Sequence, residues 1–506
     1  MSGGNAMRKL IVWLLLVTML MMTPSAYAEE SFSMAGYDDE ETYHVWTENL
    51  FFERMQEKTG LELELIQYTT AAKWQAAKDA MLAGSQELPD ALFKADLTTQ
   101  ETVAWYEAGK LIDLKPYLAE HAPNLWALLE SNPEWMKAIT LPDGAIVALP
   151  YLDTLQFNNA MWINETWLKK LNLSVPTTAE ELTEVLRAFR RTDMNGNGDK
   201  DDEVPFTFSS MWDLRFLLHA FGVNANDYYI TMDENGTVSQ ILTTEENRAF
   251  ITWLHQLWEE GLIDLNGFTA MRSAAAAPEE DTPVVYGVML APSPASLIHT
   301  SKMDQYVLLE PLFCDGKQVY RDLTGDVIRG TFAITSACKD PAALLRWVDF
   351  LYTEEGFILS EAGMEGVEFD VNDDGSWLWV DTTETLNKIT LPSATIRTGS
   401  PTPGFTSVAF QQRLDDPTTQ RVVSALMRLR EIDSMPYPLV WLTQEQQNRV
   451  DELIMQIGSY AELQMVWFVT GDVELTDETW QEFCQKVHDL GVDEMVSIWQ
   501  EAANAD

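Results

Sequence analysis

"WINETWLKKLNLSVPTTAEELTEVLRAFRRTDMNGNGDKDDEVPF", residues 162–206, holds a helix, an acidic loop and the start of a strand in one run. Pro176-Thr177-Thr178 is a helix entrance, and Leu182, Val185, Leu186 and Phe189 recur on one face of 178–192, the spacing of an amphipathic helix. The helix runs into "DMNGNGDKDDE" (193–203), and "VPFTFSS" (204–210) then reads as a strand. Counting from Asp193, oxygen-bearing side chains fall at alternate places: Asp193, Asn195, Asn197, Asp199 and Asp201 stand at positions 1, 3, 5, 7 and 9, with Gly198 at 6. That is the donor order of an EF-hand-type calcium loop, whose sixth-place glycine makes the sharp turn. The pattern breaks at position 12, where Val204 replaces a bidentate glutamate; Asp202 or Glu203 could supply that carboxylate from just upstream. A merely solvated acidic turn would carry the same charge without the alternation or the two Asn-Gly pairs. Because a strand rather than a second helix follows, the expected role of the calcium is structural.

The rest of the chain sets the context. At 506 residues it is too long for one simple core, and two lobes are expected. A formal charge of -46 excludes nucleic-acid binding and rest on an anionic membrane, and suits a soluble protein with a neutral, cationic or metal-bound ligand. Met7-Arg8-Lys9, the apolar run Leu10 to Met22 and Ala26-Tyr27-Ala28 together read as a secretory signal peptide cut after Ala28. "MSGGNA" ahead of it reads as a cloning scar, so residues 1–28 are set aside as scar plus signal. The signal has no cysteine for lipid attachment, which leaves open how the exported chain is kept near its membrane. Cys314, Cys338 and Cys484 form neither a metal motif nor a disulfide framework; three buried thiols are expected, with one bridge left open.

Short strands alternate with helices, which points to an α/β fold. The patterning predicts strands at 31–36, 61–68 and 90–96, helices over 38–57 and 71–83, and a further apolar run at 145–153. A helix over 247–263 carries Phe250, Trp253, Leu254 and Leu257 inward, strands return between 284 and 351, and the chain is mostly helical from 413 onward. "DVNDDGS" (370–376) reads as a β-turn. No zinc helix H-E-x-x-H, nucleophile elbow G-x-S-x-G or Walker loop is present, and six scattered histidines give no zinc site. Glycoside hydrolysis needs only two carboxylates across a cleft, and 79 acidic residues decide nothing about it.

The 162–206 block resembles the extracellular solute-binding proteins (family 1) of carbohydrate ABC importers, in particular the subgroup of alginate-binding proteins and Gram-positive binding lipoproteins. "LWEEGLID" (257–264), "GMEGVEF" (363–369), "PLVWLTQEQQ" (438–447) and "FVTGDVELTDETWQEFCQKVHDLGVDEMVSIWQEA" (468–502) carry the likeness, in order, across the mature chain. The resemblance implies a two-lobe periplasmic-binding-protein fold of the maltose-binding type (type II), with a hinge, an interlobe cleft and a helix-rich C-terminal part. It sets the lobes at 29–152 with 308–355 and at 153–307 with 356–506. It implies calcium on Asp193, Asn195, Asn197, the Asp199 carbonyl, Asp201 and Asp202, and no catalysis. It also implies a monomer outside the cytoplasm, at the cell surface or in a periplasm, that delivers an oligosaccharide to ABC permease subunits. A secreted carbohydrate-active enzyme with a structural calcium is the alternative.

Ligands of open α/β sheets gather beyond the carboxyl ends of the strands, and sugars need aromatic faces beside polar side chains. Those ends hold Tyr68, Asp96, Tyr151, Arg215 and Ser293, with Trp212 as the first platform and Trp377 as a second.

Overall fold

The computed structural model describes residues 31–155, 159–268, 279–380 and 391–505. The signal-peptide reading and most of the "AAAAPEED" loop lie outside them.

Two sheets divide the chain. The first takes the strands Gly404–Phe405, Leu149–Leu152, Val327–Ile334, Ala91–Phe93, Phe32–Tyr37 and Leu63–Tyr68 in that spatial order. Val327–Ile334 runs against both neighbours, and the other pairs are parallel. The second sheet orders Tyr306–Leu309, Ala160–Asn164, Tyr286–Ala291 and Val204–Thr207, with the last two parallel. Each sheet has its own core: Met34, Phe93, Phe332 and Trp347 on the first, Trp162, Phe189, Phe206 and Leu257 on the second. Burying such a side chain contributes about 1.5–3 kcal/mol. The second core also takes Val450, Ile457, Phe468, Phe483 and Trp499 from the helices Gln444–Thr470, Asp477–Asp489 and Val492–Ala505. The helical end of the chain thus packs on the second sheet.

The chain passes between the sheets three times: after Leu152, between Leu309 and Val327, and after Phe405. These passages lie side by side. The Asp153 N–H donates to Asp326 O (2.9 Å), the Thr406 N–H donates to Leu152 O (2.8 Å), and Tyr320–Arg321 pairs with Asp433–Ser434. Arg430 pairs with Asp326 and also donates to Thr154 O at 3.3 Å.

Three sequence expectations change. The lobe limits move: Gly404–Phe405 joins the first sheet and Ile396 its core, although 356–506 was read with the second lobe. Leu308 and Leu309, read with the first lobe, pair in the second sheet. The single helix over 38–57 breaks into the short 3-10 turns Glu40–Thr42 and Trp46–Glu48 and an α-helix at Leu50–Thr59, opened by the Asn49 side chain accepting from the Phe51 N–H. Upstream, side chains turn inward: His44 Nδ1 lies 2.8 Å and Trp46 Nε1 3.0 Å from Asp38 Oδ2, and Lys94 Nζ lies 2.7 Å from Asp38 Oδ1. A helix would scatter these groups. The three cysteines are free thiols and only half buried. The helix Ala179–Arg190, the helix Glu245–Glu259 with Trp253 buried, and the turn joining Phe369–Val371 to Trp377–Trp379 follow the sequence reading.

Candidate functional site

Strand direction brings two carboxyl edges together. Phe32–Tyr37, Leu63–Tyr68, Ala91–Phe93 and Leu149–Leu152 all run the same way, because the last two both oppose Val327–Ile334. They end at Tyr37, Tyr68, Phe93 and Leu152, which sets Lys94 and Tyr151 on the edge where the chain leaves for the second sheet. It enters that sheet at Ala160, directly opposite Ala291. The ends of Val204–Thr207 and Tyr286–Ala291, leading to Trp212 and Ser293, therefore meet the same passages.

At this junction a cavity of 340 Å³ is lined by Tyr151, Asp153, Glu361, Arg397 and Thr406 of the first half and Leu426 of the second. Its polar groups form a chain: Tyr151 OH donates to Thr406 Oγ1 (2.8 Å), which donates to Asp153 Oδ1 (2.6 Å). Burial raises the Asp153 carboxyl above its usual range and the Tyr151 hydroxyl well above its own. Burial also pushes the Glu361 carboxyl up to about 7, against the pull of Arg397 and Lys94. A buried carboxyl that is part protonated at neutral pH can both donate to and accept from hydroxyls.

The loop bearing Arg397 is tied down from beneath. Lys94 Nζ donates to Ile396 O (3.1 Å) and Thr398 O (2.7 Å) while pairing with Asp38. Gly399 has φ +84°, and a Cβ there would stand 2.2 Å from Asp38 Oδ1, so only glycine fits.

On the second wall Trp212 is half buried, its ring 5.2 Å from Phe216 and its Nε1 donating to Asp227 Oδ1 at 2.8 Å. Arg321 donates to the same oxygen (2.8 Å) and to Ala225 O (2.6 Å). Arg215, read as a ligand contact, has a side chain only 6% exposed. It stacks 4.1 Å from the Tyr229 ring centroid and pairs with Glu462. Asp227, which takes both the Trp212 and the Arg321 donors, keeps half its side chain exposed.

The remaining expected residues divide. Asp96 is exposed and its charge acts on Tyr37, the neighbouring strand end. Tyr68 OH accepts from Gln86 Nε2 (2.9 Å), and Ser293 Oγ accepts from the Ala295 N–H as a turn cap (3.3 Å). Trp377 is no platform. It is 4% exposed, stacked on Phe410 at 4.4 Å and 13°, with Nε1 donating to Phe410 O. It floors a separate groove of 670 Å³ beside Arg54 and Phe369. Glu361, Arg397, Thr406, Asp227 and Arg321 were missed, because each enters through a contact distant in sequence.

In the acidic loop, four side chains close turns on backbone N–H groups a few residues on, while Asp201 pairs with Arg190 at 3.1 Å. Asp193 accepts from Gly196 (2.6 Å) and Gly198 (2.9 Å), Asn195 from Asn197 (2.9 Å), Asn197 from Asp199 (2.7 Å), and Asp199 from Asp201 (3.0 Å). Asn195 and Asn197 both turn their amides to Asp202. Glu203 is buried, and its Oε1 accepts from the Met194 (2.6 Å) and Asn195 (3.2 Å) N–H groups while Oε2 has no partner. Among the described residues no three His, Cys, Asp or Glu side chains form a metal-like set, and this loop's donors include amide oxygens.

A profile of the family "Bacterial extracellular solute-binding protein" matches residues 40–356, more than half of the chain. The chain is a bacterial extracellular solute-binding protein. Among relatives of this solute-binding protein is the fructooligosaccharide ABC transporter substrate-binding protein FusA of Streptococcus pneumoniae, 26% identical over 90% of this chain and 86% of the relative. An extracellular solute-binding protein from Bifidobacterium longum subsp. infantis superposes with TM-score 0.79 at 20% identity, covering 96% of this chain and 99% of the other. An EF-hand mutant of FusA from S. pneumoniae, in complex with fructo-nystose, superposes with TM-score 0.73 at 21% identity, covering 94% and 99%. The solute-binding protein thus has the two-domain fold its sequence implied. Among the described residues no helix is long and apolar enough to cross a membrane.

Proposed function

We propose that this protein captures an oligosaccharide outside the cytoplasm, between its two sheets, and hands it unchanged to the permease of an ABC importer. The observation that carries this reading is the junction of the two carboxyl edges in a family member. There Tyr151, Asp153, Glu361 and Thr406 line one cavity with hydroxyl-matching groups, and in this reading Trp212, bonded to Asp227, serves as the aromatic platform of the opposite wall. Aromatic faces take the apolar side of a sugar, and carboxylates accept from its hydroxyls. The kinship with FusA, whose name specifies fructooligosaccharides, supports the sugar class. Strand-passage segments lying side by side suit a hinge, because few backbone angles need change to close the walls. Residues 1–28 serve as scar and signal peptide, and the mature chain works as a monomer.

Calcium belongs to the same reading. Asp193, Asn195, Asn197, the Asp199 carbonyl, Asp201 and Asp202 would hold it. The fit rests on the alternate oxygens, the positive φ of Gly196 (80°) and Gly198 (92°), and the partnerless Glu203 Oε2 buried beneath the loop. The ion would neutralise clustered carboxylates and fasten Ala179–Arg190 to Val204–Thr207.

The test is a thermal-shift screen of the purified chain against an oligosaccharide panel, with product analysis of every hit. A melting temperature that rises with log concentration and sugar recovered intact support capture. Turnover would shift the reading to the carbohydrate-active enzyme, with Asp153 and Glu361 as its carboxylates.

A further inference from the structure

We propose that Arg321 and Asn159 are positioning residues that tie the Trp212 platform to the passages between the sheets; this rests on the sugar-binding reading above. Trp212 belongs to the one-turn helix Met211–Leu214, which is too short to hold an orientation by itself. Its ring is fixed from outside, and each of the three passages reaches toward it through hydrogen bonds. Asn159 ends the first passage, and its Nδ2 donates to Oδ1 of Asp213, the residue next to the indole, at 2.9 Å. Asp213 Oδ2 accepts from the Ser209 N–H at 2.6 Å. The second passage holds Asn159 in turn, because Tyr320 OH donates to Asn159 O at 2.6 Å. Arg321 follows and forks, with Nε donating to Ala225 O (2.6 Å) and Nη2 to the Asp227 oxygen that also takes the Trp212 N–H. On the third passage, Ser434 O accepts from Asn224 Nδ2 at 3.1 Å. Phe216 stands among them, its ring 5.2 Å from Trp212 and 5.8 Å from Tyr320.

These ties do not give way easily. Arg321 is 3% exposed, and a guanidinium at that depth cannot release its carboxylate without leaving a buried charge unpaired. A planar fork to two acceptors also fixes direction as well as distance. When the passages turn, the 225–227 segment, Asp227 and the indole N–H turn with them. The platform is thus oriented by the segments that close the cleft, and neither Arg321 nor Asn159 has to touch the sugar to set its affinity.

The test labels the full chain with 5-fluorotryptophan and follows the fluorine resonance of Trp212, identified by its loss in Trp212→Phe. In the sugar-free chain, Arg321→Gln and Asn159→Ala should each move that resonance. Calorimetric titration with kestose, maltotriose, cellotriose and galactotriose supplies the second readout. Arg321→Gln should weaken the tightest of these roughly tenfold. In the Trp212→Phe background, where the N–H to Asp227 is already gone, the same substitution should cost less than about twofold more. A Trp212 resonance unmoved in folded Arg321→Gln, or losses that simply multiply, overturns the tie while leaving sugar capture standing. Should Arg321→Gln not fold, Asn159→Ala decides by the resonance alone. If the parent chain binds none of the four sugars, sugar capture falls and the proposal falls with it, even where the resonance moves.

Discussion

The acidic loop at 193–203 and the cavity at Tyr151 handle clustered carboxyl groups in opposite ways. In the loop, all but one of the acids lie near water and find partners close by in sequence: Asp193, Asp199 and the two Asn accept N–H groups two to five residues away, Asp202 takes the Asn amides, and Asp201 pairs with Arg190. In the cavity, Asp153 and Glu361 come from segments about two hundred residues apart, and their partial burial raises both above their usual range. One cluster is built from sequence spacing, and the other from the meeting of two sheets. The first suits an ion that cancels charge. The second suits hydroxyls that share hydrogen bonds.

The largest expected effect comes from cutting the cavity loose. Lys94→Met leaves Asp38 buried and partly unpaired and frees the 396–399 loop. Breaking a buried pair costs about 3–5 kcal/mol, read as a shift in the urea midpoint at unchanged slope. The mutant should also lose sugar affinity, whereas calcium affinity at the loop should stay as in the parent.

Next is the loop itself. Chelation should lower the melting temperature and calcium, rather than magnesium, should restore it, since six or seven oxygens suit the larger ion. With calcium 100- to 1,000-fold above its Kd the gain is roughly 3–4 kcal/mol. Asp193→Ala should remove the response. A melting curve indifferent to chelator, from protein purified without metal, returns the loop to a solvated turn.

How much of this was legible in the sequence follows the same divide. The 162–206 block was readable because its helix period, Thr178 cap and Asn-Gly turns are local, and Thr178 does cap the helix by accepting from the Glu181 N–H. The alternating strands and the two-domain fold were readable too. The cavity was not: Tyr151 and Asp153 lay at a recognisable strand end, but Glu361, Arg397 and Thr406 reach them only through the tertiary fold. Trp377 looked like a platform on a short strand because its cover, Phe410, arrives from a distant helix. The helix expected from 38 failed for a similar reason, since Asp38 pairs with the distant Lys94 and draws His44 and Trp46 in after it.

The cavity should also reveal itself by pH. Glu361 has an ordinary value of 4.5 and stands at about 7 in the fold, so the folded chain binds more protons between those values. Stability in the ligand-free state should therefore fall as pH rises from about 4.5 through 7, by about 3 kcal/mol at most. Glu361→Gln should flatten that segment of a stability–pH curve, while Asp193→Ala should leave its shape unchanged.

The smallest effect belongs to Trp212. Trp212→Phe keeps a ring against Phe216 but loses the N–H to Asp227, costing about 1 kcal/mol of stability. Sugar affinity should drop by roughly tenfold or less, about 1.4 kcal/mol. A mutant that melts far lower with affinity intact would make the indole a core residue.

Hydrogen–deuterium exchange with and without a bound oligosaccharide tests the central claim most directly. Capture between the sheets predicts protection on both walls at once, at 151–155 and 397–406 and also at 209–215 and 225–229. Protection confined to one wall, or centred on the groove around Phe369 and Trp377, would contradict it.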